Sequence, residues 1–142
     1  MTTFHFDGLR RGALLPMVIV TAILAGCQDE ASAEGAIAVP SGRDITLIDL
    51  ITDVPGPEGQ TARFRFLAPG LLADDAEAAA TDMEALCNDY ALPRIAALVP
   101  KPAQIIVSLS SAPVPFGETA PEVVQLFEAY RVEGNTCVWM AF

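Results

Sequence analysis

A charge-free run ending in a cysteine divides this chain into two parts with different fates. Gly12 to Gly26 reads GALLPMVIVTAILAG, and Arg10 and Arg11 stand just before it. A basic start followed by a short apolar stretch has the form of an export signal. Fifteen residues of helix reach about 22 Å, short of the roughly 30 Å hydrocarbon core of a bilayer. Pro16 also interrupts the run, so a stable membrane span is the weaker reading.

The end of the run decides the type of signal. Leu24-Ala25-Gly26-Cys27 places an aliphatic residue and two small ones before a cysteine, the pattern of a lipoprotein signal. Small residues let the backbone enter a peptidase cleft, and the thiol is the atom that takes the diacylglycerol. Each buried CH2 of the acyl chains contributes about 0.8 kcal/mol, so two or three chains hold a protein at a membrane. Cleavage after Ala31-Ser32-Ala33 is the rival, weakened by Asp29 and Glu30 between the apolar run and that cut. Arg10-Arg11 resembles a twin-arginine signal only faintly. The expected organisation is a signal peptide over 1–26, lipidation on Cys27, a flexible tether over 27–39 and one domain over 40–142. It places the domain in the cell envelope, lipid-anchored and facing the periplasm, at the inner or the outer membrane.

Maturation at Cys27 constrains chemistry as well as location. It removes the first 26 of 142 residues and leaves 116, with 17 acidic side chains against 6 basic ones. His5, the single histidine, leaves with the signal. The remainder cannot build a Ser-His-Asp arrangement or a histidine-ligated zinc or haem, and no cofactor is expected. Its acidic balance argues against nucleic acid as a partner, because that binding rests on Lys and Arg neutralising phosphates.

Cys87 and Cys137 remain. They stand 50 residues apart, far from the spacing of a CxxC pair or a zinc knuckle. One structural disulfide is the reading suited to an oxidising compartment; two separate buried thiols are the alternative.

Residues 44–53 (DITLIDLITD) suit a strand, and 54–60 (VPGPEGQ) a turn or loop. Thr61 to Ala68 alternates strictly, with Phe64 and Phe66 on one face and Arg63 and Arg65 on the other, so the two strands pair as a hairpin. After Pro69-Gly70, Asp74 with Glu77 has the spacing of a helix start, and alanines follow. Met83, Leu86, Cys87 and Tyr90 form one helix face, and Pro93 ends or kinks the helix. Residues 104–110 (QIIVSLS) read as a buried strand and 111–121 as a proline-rich loop. For 122–132 two readings stand. Val123, Leu126, Phe127 and Tyr130 fit a helix, whereas the Val, Phe and Tyr content and Glu133-Gly134-Asn135 favour a hairpin with 136–142 (TCVWMAF). The hairpin is preferred. The resulting class is α+β, with one main helix packed on a mostly antiparallel sheet of about five strands.

Three segments carry a family resemblance: Asp82 to Arg94 (DMEALCNDYALPR), Pro115 to Glu118 (PFGE) and Gln125 to Trp139 (QLFEAYRVEGNTCVW). With them the chain resembles an uncharacterised family of short alphaproteobacterial envelope proteins, a domain of unknown function, over about Pro40 to Phe142. The resemblance implies a bacterial, exported protein and brings no catalytic residues with it.

Candidate sites follow from chemistry. Arg63 and Arg65 share a wet strand face and suit a carboxylate or phosphate, or else cross-strand pairing with Asp49. Phe116, between prolines and a glycine, suits a docking knob or a cover for the sheet edge. Tyr130 and Trp139 read as core or edge packing. Asp74, Asp75 and Glu77 lack the spacing of a calcium loop and fit the positive end of a helix dipole. Ser108, Ser110 and Ser111 have no histidine base and would need Lys101, the single lysine. Glu118 or Glu128 would need a second acid at hydrolase spacing. Three classes of function remain. The preferred one is a non-enzymatic interaction or accessory module with an envelope protein partner. A periplasmic small-ligand-binding module is next, and a carboxylate-based hydrolase last.

Overall fold

The computed structural model describes residues 35–57 and 59–141. Cys27, the expected signal and most of the expected tether lie outside them. The five strands are β1 (Thr46–Ile51), β2 (Thr61–Leu67), β3 (Gln104–Ser110), β4 (Gln125–Glu133) and β5 (Thr136–Met140). They form one sheet in the order β1-β2-β3-β4-β5. β1–β2, β3–β4 and β4–β5 pair antiparallel, and β2–β3 pairs parallel. Antiparallel neighbours need only a short turn, whereas a parallel pair needs a crossover long enough to travel back along the sheet. The segment between β2 and β3 supplies that crossover and contains the helix. The α+β class read from the sequence is the class observed.

The helix begins with a tight turn (Ala73–Asp75), continues as α1 (Ala76–Ala85), widens into a π-helical stretch (Leu86–Ala91) and closes with α2 (Leu92–Ile95). Asp75, rather than Asp74, secures the start: its carboxylate accepts the Leu72 N–H at 3.0 Å. The widening has a local cause. Pro93 has no N–H for the carbonyl of Asp89, and its ring would clash there. The preceding turn opens instead, and the Leu92 N–H reaches the carbonyl of Cys87. The helix therefore runs past the proline for a further half turn.

The core lies on one side of the sheet. Phe64 and Phe66 of β2, Ile105, Val107 and Leu109 of β3, and Tyr130 of β4 are buried against Ala79, Met83, Leu86 and Cys87 of the helix. Tyr90 meets Phe64 and Phe66 edge-on, with ring centroids 6.2 and 5.5 Å away, the arrangement the ring quadrupoles favour. The Arg94 guanidinium caps the outer face of Tyr90, 3.3 Å from its centroid.

Two latches close this layer. Ser41 donates its N–H and hydroxyl to the two carboxylate oxygens of Asp82, at 2.9 and 2.5 Å. Asp82 is fully buried, so these bonds replace the water it loses. Ile37 pairs with Ile45, and Ile37 and Val39 pack on the core; the end of the stretch expected as tether is part of the domain. At the other edge, Cys87 and Cys137 form a disulfide. Beside it, the Cys137 N–H donates to Asn88 Oδ1 at 3.0 Å. The helix is thereby joined to the outermost strand.

Residues 122–132 resolve in favour of the hairpin. β4 and β5 pair Glu133 with Thr136 and Tyr130 with Trp139, and Gly134 takes the positive φ of 62° that such a turn requires. Among the described residues no helix is long and apolar enough to cross a membrane.

Candidate functional site

The helix covers only one face of the sheet. Strand alternation sends Arg63 and Arg65 of β2, Ile106 and Ser108 of β3, Phe127 of β4 and Val138 of β5 to the other. No helix lies over that face among the described residues. Two loops fringe it. In the loop between β1 and β2, Gly56 approaches β2 and β3 so closely that a Cβ there would lie 2.5 Å from Thr61 Oγ1 and 2.9 Å from Gln104 Oε1. The 111–124 loop folds back over the sheet and encloses a groove of about 630 Å³.

The floor of the groove is set by register. Arg63 is aligned with Ile106, and Arg65 with Ser108. Ser108 in turn faces Phe127. The wall is Pro115 to Pro121, with Phe116 and Glu118 among the lining residues. The wall is held at its base. The Ser111 N–H donates to the Val124 carbonyl at 2.9 Å, and the Val124 N–H donates to Ser111 Oγ at 3.0 Å. Arg65 donates to the carbonyl of the buried Val114. With Pro113, Pro115 and Pro121 limiting the backbone further, the groove is formed before anything enters it.

Arg63, Arg65 and Phe116, singled out separately from the sequence, line this single groove. Their surroundings differ. Arg65 is engaged on three sides, by Asp49 Oδ2 at 2.9 Å, by the Val114 carbonyl and by the Phe116 ring 5.7 Å away. Arg63 donates to the carbonyl of Val54 and has no carboxylate partner among the described residues. Cross-strand pairing with Asp49 therefore holds for one arginine of the two. Phe116 neither seals the sheet edge nor stands clear of it: half of it is buried beside Arg65 and half meets solvent. Phe127, 56% exposed, is a groove residue that the sequence did not single out, as are Ile106 and Gln125. For Phe127, period-two alternation through β4 was the available signal, obscured while a helix was still a reading.

The remaining candidates are scattered. Ser108 lines the groove, but Ser110 is buried and donates to its own loop at Ala112. Lys101 is exposed and is not a groove residue. Glu118 lines the groove, whereas Glu128 lies on the helix side, in a smaller cleft with Glu77, Glu84, Tyr130 and Trp139, where it accepts the Trp139 indole N–H. These two acids do not face one reaction centre. Tyr130 packs in the core and Trp139 is exposed at the edge. Burial, and then the nearby Glu128 and Glu84, push the Tyr130 phenol above its ordinary range. The Asp75 carboxyl is held below the usual value by the Leu72 N–H and by Arg43. Arg43 also forms an ion pair with it at 2.9 Å. Among the described residues no group of three or more metal-ligating side chains is placed to hold a metal ion.

The fold and site define a two-layer α+β domain with one sheet face left open and a preformed, arginine-bearing groove upon it. The chain belongs to a family of unknown function, DUF6497, whose profile matches residues 20–142. Searches of curated proteins and of solved structures found no match.

Proposed function

We propose that this chain is an exported envelope protein, anchored by lipid on Cys27 and facing the periplasm, whose domain works as a non-enzymatic interaction or accessory module. The observation that carries the docking reading is the open sheet face. Its groove combines exposed Phe116 and Phe127 with Arg63, which has no carboxylate partner among the described residues. Phenylalanine and arginine are both enriched in protein–protein interfaces relative to the rest of the surface. The anchor rests on Leu24-Ala25-Gly26-Cys27 at the end of the apolar run. A disulfide in so small a domain suits an oxidising compartment. The non-enzymatic reading is supported by the histidine-free sequence after Cys27 and by the dispersal of the serines and glutamates weighed as catalytic groups. The groove volume of about 630 Å³ also falls within the usual range of small-ligand pockets, which makes a small ligand the second reading.

Two measurements on the full chain in its native host test this. A fatty-acid probe is expected to label the wild type and not Cys27→Ser; labelling of the variant contradicts the anchor. In-cell crosslinking is expected to recover a reproducible partner from the wild type and not from Phe127→Ser. Recovery that is indifferent to Phe127 contradicts docking on this face.

A further inference from the structure

We infer that the groove accepts an extended, mostly apolar peptide segment carrying a single carboxylate, and that Arg63 receives that carboxylate. The inference rests on the docking reading above and names the chemistry of the partner.

Of the six basic residues described, Arg43, Arg65 and Arg131 each pair with a carboxylate. Arg94 lies over Tyr90, and Lys101 is away from the groove. Arg63 is thus the groove cation whose charge no described carboxylate offsets. A guanidinium presents five N–H donors. The Val54 carbonyl engages Nη1, so the planar fork of Arg63 keeps donors for a bidentate carboxylate.

Ile106, Phe116 and Phe127 supply the apolar part of the groove, which they share with Arg65, Ser108 and Glu118. Ile106 is aligned with Arg63, and the Phe127 ring belongs to the next row of the same face, about 7 Å along the strands. A chain segment lying across these rows meets a cation first and then rings. The half-open form of the groove suits such a segment better than a small molecule, which pockets normally enclose over most of its surface.

Charge limits the partner to one acid. The chain carries a formal net charge of −10, and Glu118 stands on the groove wall. A strongly acidic segment would be repelled by both. An apolar segment with one carboxylate gains the contact to Arg63 with little of that cost.

The test uses the full lipidated chain in detergent and three N-acetylated, C-terminally amidated nine-residue peptides, with binding read by calorimetry. Each alternates valine and phenylalanine and carries at its centre a glutamate, a glutamine or a lysine. The glutamate peptide is expected to bind at least about tenfold more tightly than the glutamine peptide, the scale of a hydrogen bond to a charged group, with the lysine peptide weakest. Arg63→Gln is expected to remove that preference and Arg63→Lys to restore part of it. Phe127→Ser should weaken the glutamate and glutamine peptides alike. Equal binding of the glutamate and glutamine peptides, with dependence on Phe127 retained, overturns the carboxylate assignment and leaves docking standing. Absence of binding by all three peptides overturns the assignment too. If the in-cell crosslink also fails, the docking reading falls with it. Self-association through Phe127, read by sedimentation, would assign the face to a second copy and overturn the inference.

Discussion

Asp82 shows how one side chain fixes the boundary of the domain. Its fully buried carboxylate is satisfied by the Ser41 N–H and hydroxyl. Asp82→Ala leaves those donors without a partner and is expected to cost about 1–3 kcal/mol. It should also speed amide exchange at Ser41, read by hydrogen exchange beside a urea titration; unchanged exchange there would dissociate the latch from stability. Tyr130 makes a pH prediction. Tyr130 is 1% exposed as a residue, and its phenol is raised above its ordinary value of 10.0. A folded-state pKa above the unfolded one gives stability that is present below the unfolded value and lost as pH rises past it. Stability is therefore expected to fall above about pH 10. Phenolate absorbance from Tyr130 should appear together with unfolding, and Tyr130→Phe should flatten this part of the pH profile. Early titration of Tyr130 in a folded protein would contradict its burial.

At the scale of elements, the helix and the edge strand β5 are held by the Cys87–Cys137 disulfide and the Asn88 amide. A 50-residue loop constrains the unfolded chain by about 4 kcal/mol in the entropic model. Replacing both cysteines with alanine is expected to lower stability by that order, and to raise amide exchange in β5 before β2 and β3. Uniform acceleration across the sheet would show that β5 does not depend on the staple. The elements also show where the sequence could be read. Strand β2 was legible because Phe64 and Phe66 face the core while Arg63 and Arg65 face the open side, so alternation and burial agree. In β4 they disagree. Phe127 faces the open side, and Glu128 lies on the helix side beside Trp139, the reverse of apolar-in and polar-out. The same residues then fit a helical period as well as a strand. The groove was hidden for another reason: it joins β2, β3 and a loop distant in sequence, and no local pattern reports that meeting. The π-helical stretch is a response to Pro93 in a packed helix, where a break or a kink were the simpler expectations.

For the whole molecule, an acidic domain has one sheet face packed and the other open, and under the proposed function the open face is where a partner docks. An uncovered apolar sheet face would invite indiscriminate association. Here two loops narrow it to one groove, and the formal net charge of −10 opposes the approach of like-charged copies. Lipid on Cys27 would confine the search for a partner to a membrane surface. The most direct measurement is site-specific photocrosslinking of the full chain in its own envelope. Benzoylphenylalanine would replace Phe127 in the groove, or Val99, a loop residue 96% exposed and not part of the groove. A discrete partner adduct is expected from position 127, absent from position 99 and lost when Cys27→Ser is added. No adduct from position 127, or the same adducts from both positions, would contradict the open face as the working surface of this protein.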